Sequence, residues 1–418
     1  MNLNRKPIPV LEAVDRAVAE VTPLKSEAVP YREAYGRILA EDLKATMAVP
    51  HFDKSAMDGF AIRSKDSIGA SGDDRIEFTV AEEVPAGSTS DYILKENEAF
   101  RIMTGAPVPA SADAVVMFEQ AKMGDGTFTV RKAFNPGENI AIKGEECQPG
   151  EVIVPRGTFI NPGTVATLAT FGYENVEVYR QPVVGILATG SELIEIDQPL
   201  SPGKIRNSNG PMILSQLKRM NITGKMYALE ADDFDTLLER VEDMLDEVDA
   251  IITTGGVSVG DYDFLPKLYE ALGAEELFNK VGMRPGSVTT VSMLGTVPLF
   301  GLSGNPSACY TGFELFARPA LLKMMGHDKI YAPVVDGVLD GDFRKANPFT
   351  RFVRAEIDYR AGGIYARPAG FNKSNAVTSI ARSNGIIVLP GGSRGYQKGD
   401  PVKVMMTDMT TGARQFNL

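Results

Sequence analysis

Residues 250–263 read AIITTGGVSVGDYD. An apolar, β-branched run stopping in Thr-Thr-Gly-Gly describes a strand buried on both faces that ends in a glycine turn. Two further runs carry the same signature, VVGILATG at 183–190 and VPLFGLSGNP at 297–306. The segments around them have helical spacing. GPMILSQLKRM (210–220) sets Ile213, Leu214 and Leu217 on one side, and DFLPKLYEALG (263–273) reads as another helix. DDFDTLLERVEDMLDEV (232–248) aligns Phe234, Leu237, Leu238, Val241, Leu245 and Val248. Strands alternating with helices imply parallel pairing, hence a doubly wound α/β sheet. PSACYTGFELFARPALLKMM (306–325) closes this region as a long helix, kinked at Pro319.

On either side the pattern changes. Leu11, Val14, Val18 and Val21 have the 3-and-4 spacing of an amphipathic helix over 9–22. From 45 to about 180, runs such as EFTVAEEV, AFRIM, DAVVM and FTVRKAF alternate with Gly, Pro and Asp clusters, the mark of small β-rich units. PGEVIVPRGTFINPG (149–163) reads as a hairpin edge and GTVATLATFGY (163–173) as a short helix. After Lys329, VVDGVL, RFVRAEIDYR, GIYARP, GIIVLPGG and DPVKVMM are spaced closely enough for a small β-barrel or sandwich. At 418 residues the chain should hold about three domains. The expected class is multidomain, α/β plus β.

Composition narrows the function. The formal charge is −11 and the pI near 5.0, a surface that disfavours nonspecific nucleic-acid binding. Cys147 and Cys309 are the only cysteines and His51 and His327 the only histidines. Thiolate cages, disulfide frameworks and zinc-hydrolase or histidine-relay chemistry are therefore disfavoured, and a reducing cytoplasm is expected. No apolar run approaches a membrane span, and the first residues lack a signal-peptide core. A metal would fall to carboxylates, which points to Mg²⁺.

The three buried strands end in ATGSEL, TTGGVSVGDYD and GLSGNPSA. In open parallel sheets ligands sit beyond the carboxyl ends of the strands. Glycines there let backbone N–H groups approach an anion. One such loop is commonly only a turn; three on one edge point to a binding site that includes Gly255, Gly256, Ser258 and Ser303. Neither GxxxxGK[ST] nor a helix-opening GxGxxG occurs, so P-loop and dinucleotide enzymes are disfavoured. Glu192, Asp232, Asp233, Asp261 and Asp263 lie near these loops. One of Asp232 and Asp233 has a second reading as a helix N-cap. A bare carboxylate about 4 Å from a phosphate repels it by roughly 4 kcal/mol at an effective dielectric of 20. Acids in an anion pocket therefore call for a bridging divalent cation. Lys280 and Arg284 in NKVGMRPGS, and Arg354 in RFVRAE, are either oxyanion ligands or solvated surface charge. Cys309 reads as a buried small hydrophobe rather than a nucleophile.

TTGGVSVGDYDFLP with GLSGNPSA resembles the molybdopterin-binding domain family. SAMDGFAIR (55–63) and RIMTGAPVP (101–109) extend the resemblance to the MoeA family, which includes the gephyrin E domain. The motifs stand in the family's order over essentially the whole chain. The resemblance implies a molybdenum insertase, a transferase that places molybdate into adenylylated molybdopterin with Mg²⁺-dependent release of AMP. It implies an elongated homodimer whose cleft draws on both subunits, with a molybdopterin adenylyltransferase as pathway partner. Four domains follow: a discontinuous β-rich domain I (27–44 and 146–180), an inserted β-rich domain II (45–145), a molybdopterin-binding α/β domain III (1–26 and 181–329) and a C-terminal barrel, domain IV (330–418).

By position the resemblance gives Asp58 and Thr104 to the substrate cleft, though each also reads locally, as an Asx-turn former and a cap. It gives Glu192, Asp232 and Asp263 to metal binding and phosphate handling. Lys280, Arg284, Asn305 and Pro306 go to the molybdate and dithiolene end, where Arg354 and Ser374 also approach. Glu146 stands where the family often has aspartate. The chain departs from the family pattern at Ser287 (often lysine), Ser303 (often proline) and Ser191 (often acidic). Two other readings are a magnesium-dependent pyrophosphatase or deamidase acting on a nucleotide, and a non-catalytic dimeric scaffold. The SAMDGFA and MTGAP motifs argue against the first and the intact acidic set against the second.

Overall fold

The computed structural model describes residues 6–227, 234–255, 265–408, 413, 415 and 416. The chain divides into a larger compact unit, residues 1–40, 157–162 and 175–418, and a smaller one, residues 41–156 and 163–174.

At the centre of the larger unit is a six-stranded sheet. Its strands are β1 (Val183–Ala188), β2 (Thr223–Tyr227), β3 (Ala250–Thr254), β4 (Glu275–Phe278), β5 (Thr290–Leu294) and β6 (Val297–Leu302). They lie in the order β2-β1-β3-β6-β5-β4. The first four are parallel; β5 and β4 add antiparallel at one edge. Neighbouring residues point to opposite faces, so Ile186 and Ile252 enter one core while Leu187 and Ile251 enter the other. Both faces are covered, as the apolar runs required.

The N-terminal helix α1 (Val10–Ala19) joins the first core through Val10, Ala13, Val14, Ala17 and Val18. Leu11, counted on that face from the sequence, is 46% exposed. Small alanines at 13 and 17 complete the seam instead, and Leu11 falls one residue, about 100°, outside it. Helix α2 (Asn209–Arg219) buries Ile213 and Leu217, and α3 (Phe234–Leu245) buries Leu237, Val241 and Met244 on the other face. The closing helix runs from Pro306 to Met324 with a π turn at Phe313–Ala317, which ends one residue short of Pro319. Proline has no N–H for the turn before it, so the widened turn falls where the expected kink does. Inside that turn Glu314 is buried, accepting from Gln216 Nε2 (2.8 Å) and Arg219 Nη2 (2.5 Å), which ties α2 to this helix.

The C-terminal strands are β7 (Val334–Leu339), β8 (Thr350–Arg360), β9 (Gly363–Pro368), β10 (Gly385–Leu389) and β11 (Pro401–Met406). Their order β8-β9-β7-β11-β10 closes through β10–β8 pairing into a barrel filled by Val353, Ala355, Ile387, Leu389 and Val404. A two-residue strand from the α/β segment, Met283–Arg284, pairs in parallel with the start of β8. Also in the larger unit, Ser26–Pro30 pairs antiparallel with Asn175–Tyr179.

The smaller unit holds a six-stranded sheet in the order Ala114–Met117, Gly59–Ile62, Glu98–Ile102, Ile76–Val84, Thr127–Val130, Lys122–Met123. Its core includes Phe60, Phe78 and Phe128. Val152–Val154, read from sequence as one arm of a local hairpin, instead pairs with Leu43–Lys44 about a hundred residues earlier. The expected short helix is Pro162–Thr170. The α/β sheet, the β-rich N-terminal region and the small C-terminal barrel expected from sequence are all present. Among the described residues no helix is long and apolar enough to cross a membrane.

Candidate active site

Parallel register brings the three glycine loops together. Ala188 partners Thr254 and Thr254 partners Leu302, so β1, β3 and β6 end level. The ladder runs on into the loops: Thr189 N–H donates to Thr254 O at 2.9 Å and Gly255 N–H to Leu302 O at 3.2 Å. Gly255 has φ +89, and a Cβ there would lie 2.4 Å from Thr189 O, so only glycine fits. A Cβ on Gly304 would stand 3.4 Å from the Gly255 Cα. From the start of α2, Asn209 Nδ2 donates to Gly304 O at 2.9 Å and pins the third loop. Asn305 N–H donates to Ser303 Oγ at 3.2 Å just before Pro306 opens its helix.

Above these loops lies a cavity of about 480 Å³ lined by Thr189, Glu192, Arg206, Asn207, Asn209, Gly255, Ser303, Asn305 and Pro306 among others. Glu192 is exposed, and its carboxylate folds back over Gly190, where an added Cβ would meet Oε2 at 2.6 Å. A second cavity of about 460 Å³ shares Val288, Ser303 and Asn305 with the first. Arg284 and Ser287 line it from the α/β side; Lys345, Arg351, Arg354, Lys373 and Ser374 line it from the barrel segment. Ser307 N–H donates to Ser374 O at 3.0 Å, which fixes the barrel loop against the helix after Asn305.

The second cavity presents five cationic side chains, and no Asp or Glu lines it among the described residues. In a chain of net charge −11 that is the local basic pocket an anionic ligand requires. Arg354 is 2% exposed, with Nε donating to Ser379 Oγ (2.8 Å) and Nη2 to Lys373 O (3.2 Å). Burial pulls its pKa down to about 10, so it keeps its charge at neutral pH. A desolvated guanidinium with no carboxylate partner gains strongly from an arriving oxyanion.

In the smaller unit, antiparallel pairing of Gly59 with Ile102 sets Asp58 beside Thr104. Asp58 Oδ1 accepts from Thr104 N–H (2.7 Å) and Thr104 Oγ1 (2.9 Å). Those two bonds, backbone first, hold the Asp58 carboxyl below its ordinary range although it is exposed. Gly59 is obligatory, since a Cβ there would come within 1.9 Å of Val116 O. Glu146 is exposed in the same unit, its N–H donating to Val49 O at 3.0 Å.

The structure thus groups Glu192, Gly255, Ser303, Asn305 and Pro306 at one cavity, with Arg284, Ser303, Asn305, Arg354 and Ser374 at its neighbour. Lys280 lines neither; its carbonyl accepts from Ile8 N–H at 3.1 Å. Asp232, Asp263, Gly256 and Ser258 lie outside the described residues. Among the described residues no three His, Cys, Asp or Glu side chains gather as a metal site. Asn207, Asn209, Lys345, Arg351 and Lys373 also line the cavities, beyond the residues expected from sequence. The available signal was the polar run RNSN soon after ATGSEL, and a second arginine three residues before Arg354.

Residues 8–172 match the MoeA N-terminal region (domain I and II), residues 185–323 the probable molybdopterin binding domain, and residues 336–406 the MoeA C-terminal region (domain IV). The chain is 51% identical over 404 residues to the molybdopterin molybdenumtransferase of Staphylococcus aureus strain COL, covering 97% of this chain and 96% of that one. The protein of the same name from Staphylococcus epidermidis strain RP62A matches at the same identity and coverage. The crystal structure of the molybdopterin biosynthesis moeA protein from Pyrococcus horikoshii OT3 superposes with a TM-score of 0.81 at 32% identity, over 96% of this chain and all of that one. With the sheet, the barrel and the loop constellation all in place, the chain belongs to the MoeA family.

Proposed function

We propose that this protein is a molybdenum insertase, transferring molybdate into adenylylated molybdopterin and releasing AMP. The observation that carries the reading is the pair of adjoining cavities, one walled by glycine-loop backbone and one lined, among the described residues, by cations without acids. The first suits a phosphate-bearing heterocycle, whose oxygens can approach backbone N–H groups where no Cβ intrudes. The second suits a tetrahedral oxyanion. Their shared wall at Ser303 and Asn305 brings the two substrates edge to edge, so much of the rate advantage comes from orientation.

Arg354 and Arg284 hold the oxyanion, Ser374 and Ser303 offer hydroxyls beside it, and Asn305 sits where the two substrates meet. Mg²⁺ fits the chemistry of the donor set, since this ion typically takes one or two carboxylates and completes its shell with phosphate oxygens and water. Glu192 would supply one such carboxylate, joined by Asp232 and Asp263. Bound there, the cation would neutralise phosphate oxygens during cleavage of the phosphoanhydride. Asp58, held ionised by Thr104, and Glu146 belong to a β-rich surface that we assign to the substrate cleft. We further assign the chain to a cytoplasmic homodimer fed by a molybdopterin adenylyltransferase, with the four domains drawn at the boundaries given above.

The test is AMP release from adenylylated molybdopterin, with and without molybdate and Mg²⁺, for the wild type and Glu192→Gln. Molybdate-stimulated, metal-dependent release that falls in the variant is expected. Tight pterin binding with no release by the wild type would sink the catalytic reading and favour a carrier or scaffold.

A further inference from the structure

We propose that Arg351 is a specificity-determining residue that binds a tetrahedral oxyanion side by side with Arg284. The inference rests on the reading of the cation-lined cavity as an oxyanion site. Its basis is register. Met283–Arg284 pairs in parallel with the first residues of β8, and Arg284 is the direct partner of Arg351. Partners on adjacent strands stand about 4.8 Å apart and project to the same face. Like charges placed directly opposite one another destabilise a sheet.

Nothing among the described residues compensates the pair. Among those residues no acid lines the cavity, and Arg351 Nε is buried with no hydrogen-bond partner from them. Arg360, further along the same strand, shows the contrast, with ion pairs to Asp340 and Asp358. Each guanidinium of the pair instead lies near an aromatic ring, Arg284 at 5.9 Å from the Phe349 centroid and Arg351 at 5.5 Å from that of Phe343. Phe343 is itself buried, so Arg351 has a firm wall behind it. Burial, then the Arg284 charge, pushes the Arg351 pKa down, the direction expected of a cation held without an anion.

Two planar forks side by side match a tetrahedral dianion, which offers one pair of oxygens to each. Two sources carry that chemistry: free molybdate and the phosphate monoester of a pterin substrate. In either case Arg351 would set affinity for the anion rather than act on the reacting bond.

The experiment uses the full chain as wild type, Arg351→Met, which keeps the stem against Phe343, and Arg351→Lys. AMP release is titrated separately against molybdate and adenylylated molybdopterin, the binding of each ligand on its own is read by equilibrium dialysis, and the thermal midpoint is recorded. In Arg351→Met we expect one half-saturation to rise roughly 10- to 100-fold, the loss expected for charge-assisted bonds. The kcat should change little, Arg351→Lys should recover part of the affinity, and the midpoint should hold or rise as the like-charge contact disappears. A rise in the molybdate arm makes molybdate the ligand; a rise in the pterin arm makes it the phosphate ester. Unchanged half-saturations in both arms would overturn the proposal, as would a lowered midpoint with parallel loss of kcat. A wild type that releases no AMP defeats the insertase reading alone, because dialysis still compares the binding of molybdate and of adenylylated molybdopterin by wild type and Arg351→Met. Equal binding of both ligands by the two proteins would overturn the role of Arg351.

Discussion

Substituting Gly255 by alanine attacks the point where the three loops meet. At φ +89 an L-residue costs about 1–2 kcal/mol relative to glycine. The added Cβ would then lie 2.4 Å from Thr189 O, and carbon cannot stay that close to a carbonyl oxygen. Thr189 would have to retreat, weakening its backbone bond to Thr254 O and the hydroxyl contact to the same oxygen. Two such bonds contribute about 1 kcal/mol each, so the total is about 3–4 kcal/mol. For an α/β domain of this size that lowers the melting midpoint by roughly 6–16 °C. Differential scanning calorimetry of the full chain should show the drop in the transition that contains the α/β sheet. AMP release should fall with it, since Thr189 and Gly255 both line the cavity above the glycine loops and the retreat reshapes its wall. A midpoint within about 2 °C of wild type, with activity retained, would refute the idea that this glycine is required by backbone proximity.

Thr104→Val should remove the hydroxyl bond to Asp58 and leave the backbone bond, so the Asp58 pKa should rise part of the way to its ordinary 3.8, as read by carboxyl NMR titration. The depressed folded pKa gives stability that is present above the unfolded value and lost as pH falls through the folded one; Thr104→Val should narrow that acid window. Asn209→Ala should loosen Gly304, and we expect its pterin half-saturation to worsen more than its thermal midpoint, because the net loss of one bond is only about 1 kcal/mol. Burial, aided by Arg318, pushes His327 down to about 4, so the unfolded chain takes up this proton first on acidification. Stability should be full above about pH 6.5 and decline toward pH 4, by at most about 3 kcal/mol from this group, and His327→Gln should flatten that decline in denaturant titrations.

The parallel sheet was legible because its strands are buried on both faces, which leaves unbroken runs such as VVGILATG that no half-exposed strand would tolerate. Barrel closure was not legible: β8 meets β10 by pairing Arg351 with Leu389, and nothing in either strand names a partner so far along the chain. Distance also hid the partner of Val152–Val154, because Leu43–Lys44 is too short to announce itself by alternation. At α1, counting large residues favoured Leu11 over Ala13 and Ala17, although helix packing there uses small side chains at close approach. Glycine loops could be read directly, since glycine marks positions of unusual φ or close contact. Arg351 and Asn209 could not, for a single polar residue in a strand or at a helix start looks the same whether it faces solvent or a cavity. Asp58, Thr104 and Ser374 came only from family resemblance; their local sequence is that of ordinary turns.

The strand made by Met283 and Arg284 belongs by chain order to the α/β half but lies in the barrel's sheet. The barrel is consequently no interchangeable cartridge. Transplanting a barrel from a relative would require bringing the loop around Arg284 with it, or the graft would leave an unmatched edge beside the cavity. Truncation before β7 would leave that two-residue strand without its neighbour and remove most of one cavity wall. The two halves must also diverge in step, since a changed tilt in β8 shifts the backbone of the segment that carries Arg284. Chimeras with crossovers on both sides of this splice should tolerate exchange far better than those cut only between Met324 and Val334.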